Sequence, residues 1–181
     1  MKMRIISSRE SFTDAYNHSL AHALREINLA DPIDFRDMDY NEFVSSLKNK
    51  KVLMLVHGYN NSFEEVCDAY KIIKWRIDAL VPQKYDEIIG YIWPGSDSAL
   101  RYGHATMEAK EIKDMYSQFI KDLAATEFVD ILAHSMGCFV NLAGIEHSSI
   151  VRNLFLQAAA VDNESIEFNE DFYSNTQCCK K

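Results

Sequence analysis

Residues 129–137 read Val-Asp-Ile-Leu-Ala-His-Ser-Met-Gly. An apolar run leads into a serine, with Ala133 two residues before it and Gly137 two residues after it. The pattern is G-x-S-x-G with alanine at the first glycine position. A strand that turns sharply into a helix places such a serine at a strained apex, and small flanking residues avoid collision with the neighbouring strand and helix. A methyl group is the least bulk after glycine, so Ala133 is a small departure. Many turns contain small-x-Ser-x-Gly by chance. The strand-like run before Ser135 and the helix-compatible run after it, residues 138–145, make the elbow reading more specific.

A second stretch, residues 52–63, reads Val-Leu-Met-Leu-Val-His-Gly-Tyr-Asn-Asn-Ser-Phe. The opening apolar run predicts a buried strand. It stops at His57-Gly58, where glycine allows a close backbone approach. Ser62 with Glu65 three residues later predicts a capping box opening a helix. Strand, His-Gly loop and helix can supply one half of an oxyanion hole; the backbone N–H after the nucleophile supplies the other. An ordinary strand–turn–helix is the alternative for either stretch alone. Their joint presence in this order favours the catalytic reading.

On these residues the chain resembles the alpha/beta hydrolases. It is especially similar to bacterial hydrolases without a defined substrate that carry VHGYNNSFE, a Trp-Pro segment and AHSMG. These stand here at residues 56–64, at Trp93-Pro94 and at residues 133–137, and the segment 155–162, FLQAAAVD, also fits. The similarity runs over about residues 52–162. It implies a three-layer, doubly wound, mostly parallel α/β sheet in one domain: an N-terminal region of strand and helices over residues 1–50, a hydrolase-like core 51–162 and a tail 163–181. It implies a serine hydrolase fold and no particular substrate; the first functional reading is a serine hydrolase acting on carboxylic esters or thioesters through an acyl-serine, for which no metal or organic cofactor is implied. Ser135 is the nucleophile candidate and the amides of Tyr59 and Met136 the oxyanion donors, while His57, Gly58, Ala133 and Gly137 shape the motifs.

The third and fourth roles are less direct. In this superfamily the chain order is Ser, then Asp or Glu, then His. Asp162 follows the last strand, at the sheet edge where parallel α/β sites form; a helix N-cap is its other reading. All six histidines, at 18, 22, 57, 104, 134 and 147, precede it. His57 reads as structural, His134 occupies an x position of the elbow, and His147 lies at the far end of the elbow helix. His104, after the Trp-Pro loop, is the base candidate; a solvated residue near a helix start is its plainer reading. The resemblance implies a further strand–helix pair carrying the histidine, so the chain is expected to lack C-terminal units. Loss of a triad histidine costs about a million-fold in turnover, so a hydrolase-fold binding or interaction module is the second reading.

Composition sets bounds. With 181 residues and net charge −8, the chain is one domain with a real core. Its acidic balance argues against nucleic acid or anionic lipid as partner, and no stretch has the length of a membrane span. Cys67, Cys138, Cys178 and Cys179 form no C-x-x-C, which suggests a reduced, cytosolic protein. A small ester-type molecule is the expected substrate, and an exposed sheet edge is an expected route to pairing with a second copy.

The remaining elements follow from periodicity. Residues 3–7 predict a short strand. Residues 11–29 predict a helix with Phe12, Tyr16, Leu20, Ala23, Leu24 and Ile27 on one face, ended by Asp31-Pro32. Helix 40–47, strand 52–56, and a helix carrying Phe63, Val66, Tyr70, Ile73, Ile77 and Leu80 come next. Then follow strand 88–93 and a long helix striped by Ile112, Met115, Tyr116, Phe119, Ile120 and Leu123. Strand 128–133, helix 136–146 and strand 153–160 complete the pattern. Strands alternating with helices after residue 50 predict a parallel sheet with helices on both faces.

Overall fold

The computed structural model describes residues 1–145, 150–162, 172 and 175. His147, Cys178, Cys179 and most of the tail 163–181 lie outside the described residues. The described residues form a seven-stranded sheet: β1 (Lys2–Arg9), β2 (His18–Asn28), β3 (Asp31–Asp37), β4 (Lys51–Val56), β5 (Glu87–Ile92), β6 (Phe128–His134) and β7 (Val151–Gln157). The spatial order is β3-β2-β1-β5-β4-β6-β7. β1, β5, β4, β6 and β7 run parallel, and β2 and β3 add an antiparallel hairpin on one side. The architecture is the mostly parallel α/β sheet that the alternation of strands and helices predicts and the family resemblance implies.

Helices cover both faces because the central strands are apolar on both. In β4, Val52, Met54 and Val56 join one buried cluster, while Leu53 and Leu55 join the other. Successive side chains of a strand point to opposite faces, so a continuous apolar run demands two covers. α2 (Phe63–Leu80) covers one face through Phe63, Val66, Cys67 and Tyr70. Four helices cover the other: α1 (Tyr40–Ser46), α3 (Tyr102–Glu111), α4 (Lys113–Asp122) and α5 (Met136–Gly144). α2 opens with the capping box expected from Ser62 and Glu65. Its last turn departs from expectation, since Leu80 is exposed.

Two further expectations are corrected. Residues 11–29 are not a helix; β2 occupies most of that span and pairs antiparallel with β1 from Lys2↔Asn28 to Arg9↔His18. The supposed helical stripe divides between the two sides of the sheet. Leu24 packs into one cluster, Phe12 and Ile27 into the other, and Leu20 is 98% exposed. Helix propensity in Ala-His-Ala-Leu-Arg-Glu is overridden by the pairing that β1 offers. Asp31-Pro32 therefore begins β3, an edge strand, where the missing proline N–H is tolerated. The long helix after the Trp-Pro loop is also two helices, parted at Ile112. Its stripe still faces inward: Ile112, Tyr116, Phe119, Ile120 and Leu123 are buried. Among the described residues, no helix is long and apolar enough to cross a membrane.

The topology fixes where a site can form. From β4 the chain passes over α2 to β5 on one side, whereas from β6 it passes over α5 to β7 on the other. Adjacent strands whose connections leave in opposite directions open a crevice at their carboxyl ends. The His-Gly loop and the elbow are the two lips of that crevice.

Candidate active site

Ser135 sits between β6 and α5 with φ 51° and ψ −124°. This is a left-handed, sparsely populated backbone state for a residue with a side chain, and such states persist only where their surroundings enforce them. Here the enforcement is visible. The Ser135 N–H donates to the Gln157 carbonyl at 2.9 Å, and its own carbonyl accepts from Cys138 at 3.0 Å and Ala160 at 3.1 Å. β7 and the turn after it thus grip the elbow from one side.

The His-Gly loop grips it from the other. A Cβ added to Gly137 would lie 2.3 Å from the His57 carbonyl oxygen and 2.9 Å from that of Val56. Both are backbone atoms, so only glycine lets α5 start this close to β4. A Cβ on Gly58 would lie 2.9 Å from His134 Nδ1 and 3.0 Å from Ser135 Cβ. Ala133 is fully buried beside Val56 of β4, so one methyl is accommodated at the first small position.

His57 is structural. Its Nδ1 donates to the Gly58 carbonyl at 2.7 Å, and its Nε2 accepts the Trp93 amide at 3.1 Å. The Trp93 indole donates to the His57 carbonyl at 2.8 Å, and the two rings stack. Burial, with the Arg9 charge adding to it, pushes the imidazole down to about 3. A neutral ring with one donor and one acceptor satisfies this arrangement. His57 therefore clamps the loop after β4 to the loop after β5. The Asn60 N–H reaches the Gly95 carbonyl and the Asn61 N–H that of Ser96, both at 3.0 Å.

The Tyr59 and Met136 amides make no hydrogen bond among the described residues. Met136 opens α5, and a helix leaves its first N–H groups without internal partners. The Tyr59 hydroxyl donates to the Ser98 carbonyl at 2.6 Å and accepts from the Arg101 amide at 3.1 Å. Its ring meets that of Tyr102 edge-on at 5.4 Å between centroids.

Next to the elbow, Tyr102, Thr106, Phe139, Ala160, Asp162 and Phe172 border a cavity of about 250 Å³. It adjoins the site through three residues. Ala160 bonds the Ser135 carbonyl, Phe139 lies one helical turn on from Ser135, and Tyr102 touches Tyr59. Asp162 thus stands on the same side of the domain as Ser135.

The histidines are distributed otherwise. His104 lies two positions beyond Tyr102 on α3, about 200° around the helix, on the opposite side from Tyr102 and Thr106. Its Nε2 faces Glu108 at 3.9 Å, and Glu108 also bonds His18 Nδ1 at 2.8 Å. His104 thus belongs to a cluster tying α3 to β2. His22 bonds the Tyr91 hydroxyl at 3.0 Å, and burial lowers it to about 4. His134 is exposed beside Gly58. Among the described residues Ser135 Oγ makes no hydrogen bond to a histidine.

Cys138, a second nucleophilic atom on α5, is disqualified by its surroundings. Burial pushes its thiol up to about 11, and Sγ donates to the Ala133 carbonyl at 3.3 Å. A thiol held protonated is a poor nucleophile.

Sequence comparison accords with this geometry. Residues 35–173 match a family described as alpha/beta hydrolase of unknown function (DUF900). The chain belongs to this family. No curated protein and no solved structure matches it. The match covers β4 to β7, hence both lips of the crevice, and begins inside β3. β1 and β2 precede the region that defines the DUF900 family, yet they supply one residue that sequence reasoning missed. Arg9 is fully buried and reaches the loops after β4 and β5. An isolated arginine at a strand end carries no pattern that would have marked it.

Proposed function

We propose that this DUF900 protein is a serine hydrolase of carboxylic esters or thioesters. Ser135 Oγ attacks the carbonyl carbon, and the Tyr59 and Met136 amides receive the developing oxyanion. The alcohol or thiol departs with a proton, leaving an acyl-serine. Water then attacks that ester, releases the acid and restores the hydroxyl. Asp162, on the rim of the cavity beside the elbow, is the carboxylate this reading uses to orient a base. His104 fits the base less well, because its ring is turned toward Glu108. The observation that carries the reading is the left-handed backbone of Ser135 at the strand–helix turn, pressed against the Gly58 loop. Backbone strain at a solvent-accessible serine has a function to serve.

The cavity supports a substrate size. At ~30 Å³ for a water-sized group, its volume of about 250 Å³ admits a short acyl chain or a single ring. Hydrolysis of p-nitrophenyl acetate, butyrate and palmitate by wild type and Ser135→Ala tests the reading. Turnover of the two short esters, absent in the variant and weak on palmitate, is expected. Equal rates from both proteins would contradict it.

One observation favours the second reading, a hydrolase fold used for binding. His22 and His57 are buried and neutral, while His18 and His104 flank Glu108. A domain without a base beside Ser135 retains the oxyanion-binding amides and so can hold a carboxylate or ester without cleaving it. In the ester assay, that reading predicts no turnover by a folded wild-type protein.

A further inference from the structure

Arg9 ends β1 at the carboxyl edge of the sheet and is fully buried. The pairing of β1 with β2 shifts between Ser7 and Arg9. An irregularity of this kind re-aims the side chain that follows, and Ser7, Ser8 and Arg9 are all buried in succession. Among the described residues no carboxylate lies within ion-pair distance of the guanidinium. It donates instead to three main-chain carbonyls: Nε to Trp93 at 3.0 Å, Nη2 to Asn61 at 3.1 Å and Nη1 to Phe12 at 3.4 Å.

Those carbonyls belong to three different loops. Asn61 closes the His-Gly loop, Trp93 opens the Trp-Pro loop, and Phe12 lies in the segment between β1 and β2. The third segment is tied in again by the Ser96 N–H, which donates to the Ala15 carbonyl at 2.7 Å. A guanidinium is a rigid plane of five donors, so bonds in three directions fix the relative positions of their acceptors. Burial of a charge without an ion-pair partner is costly, and the Asp14 and Asp97 charges, acting from a distance, offset that cost only in part. Desolvation pulls Arg9 down to about 10, still protonated at neutral pH. An apolar residue of similar length would avoid that cost but would leave the Asn61 and Phe12 carbonyls without the guanidinium and the Trp93 carbonyl with the Gly95 N–H alone.

We propose that Arg9 is a positioning residue for the oxyanion-binding loop: its guanidinium sets the placement of residues 57–61, and through them the direction of the Tyr59 amide. The inference rests on the serine-hydrolase reading for its catalytic consequence, but not for its structural half. Arg9 touches no reacting atom. It acts on turnover through the loop alone, so its loss weakens transition-state stabilisation more than substrate binding.

The test is Arg9→Lys, which keeps the charge and loses the fork, with Arg9→Gln as a second variant should the first not fold. Steady-state hydrolysis of p-nitrophenyl butyrate is measured beside amide hydrogen exchange read by mass spectrometry. The expected result is kcat lowered about a hundredfold, as for a misplacement near 1 Å, with KM within about twofold. Affinity for a trifluoromethyl ketone should fall in step with kcat. Peptides covering 57–61 and 93–96 should exchange faster, while those covering β4 and β6 exchange as in wild type. Unchanged exchange in both loops would overturn the inference, as would a raised KM at unchanged kcat. Wild-type protein without turnover would defeat the hydrolase reading, and the exchange data would still decide whether Arg9 holds the loop.

Discussion

Asp130 and Arg9 are both fully buried charged residues, and they are neutralised in opposite ways. Asp130, in the amino half of β6, receives Arg152 at 3.0 and 2.6 Å, Tyr85 at 2.8 Å and Asn153 at 2.9 Å. Burial pushes its carboxyl up, but the bonds from Arg152, Tyr85 and Asn153 outweigh this and hold it below the usual range. Arg9, at the carboxyl edge, makes no ion pair among the described residues; loop carbonyls hold it directly, and the Asp14 and Asp97 charges favour it only from a distance. A carboxylate met by a cation is self-sufficient, since its partners come from the rigid sheet and its neighbours. A guanidinium met by carbonyls is only as good as the loops are fixed, and it fixes them in return. The first device stabilises the fold; the second spends stability on the placement of loops.

Left-handed backbone occurs at both edges of the sheet. Among the described residues, Asn60, Ser96, Ser135 and Ala158 have positive φ and follow the carboxyl ends of β4, β5, β6 and β7 respectively, while Asn49 and Gln83 precede β4 and β5. Each of the four parallel strands that lead into the crevice therefore ends in one left-handed residue that is not glycine. Strain of about 1–3 kcal/mol at such a residue persists only where the surroundings impose it.

Substitution at the self-sufficient end should have the largest effect on stability and none on chemistry. Asp130→Ala is expected to cost about 2 kcal/mol in urea unfolding, since the Arg152 left behind is a third exposed, while leaving esterase kcat at the wild-type value. Loss of kcat in that variant would break the division between the two ends.

Acid should act through the carboxyl edge. His57 is held at about 3 and His22 at about 4, both below the ordinary 6.5. The unfolded chain therefore binds protons that the folded chain refuses as pH falls below about 6.5. Stability is complete above that value and is lost on going down toward pH 4. Each histidine contributes up to about a tenfold fall in the folding equilibrium per pH unit. Urea unfolding between pH 7 and 4.5 measures this, and His22→Phe should flatten the slope by about half. A profile flat across that range would contradict the buried neutral rings.

The smallest effect sharpens the contrast most. Ser135→Gly should stabilise the domain by about 1 kcal/mol, because glycine adopts φ 51° without strain. Thermal unfolding reads that gain, and a destabilised variant would mean that Ser135 is not strained.

Much of this edge was legible in the sequence because its signals are local. Small-x-Ser-x-Gly after an apolar run, and His-Gly before a capping box, each specify one strand, one turn and one helix within a dozen residues. The strands of the parallel core were legible for the same reason. The hairpin β2–β3 was not, since its helical stripe is real in spacing and false in space: Leu24 and Ile27 face opposite sides of the sheet. Arg9 was silent because its partners lie on Asn61 and Trp93, far along the chain and through main-chain atoms that no side-chain pattern reports. The loop reading sets His104 near the carboxyl edge, but one feature invisible to spacing marks its surroundings. Glu108, a turn later on the same helix, lies 3.9 Å from its Nε2 and bonds His18 of β2.

The most direct measurement is the intact mass of wild type and Ser135→Ala after reaction with a fluorophosphonate. The account predicts one adduct on wild type, mapped to Ser135, and none on the variant. A folded wild-type protein that stays unmodified, or an adduct on another residue, would contradict the assignment of the elbow as an activated nucleophile.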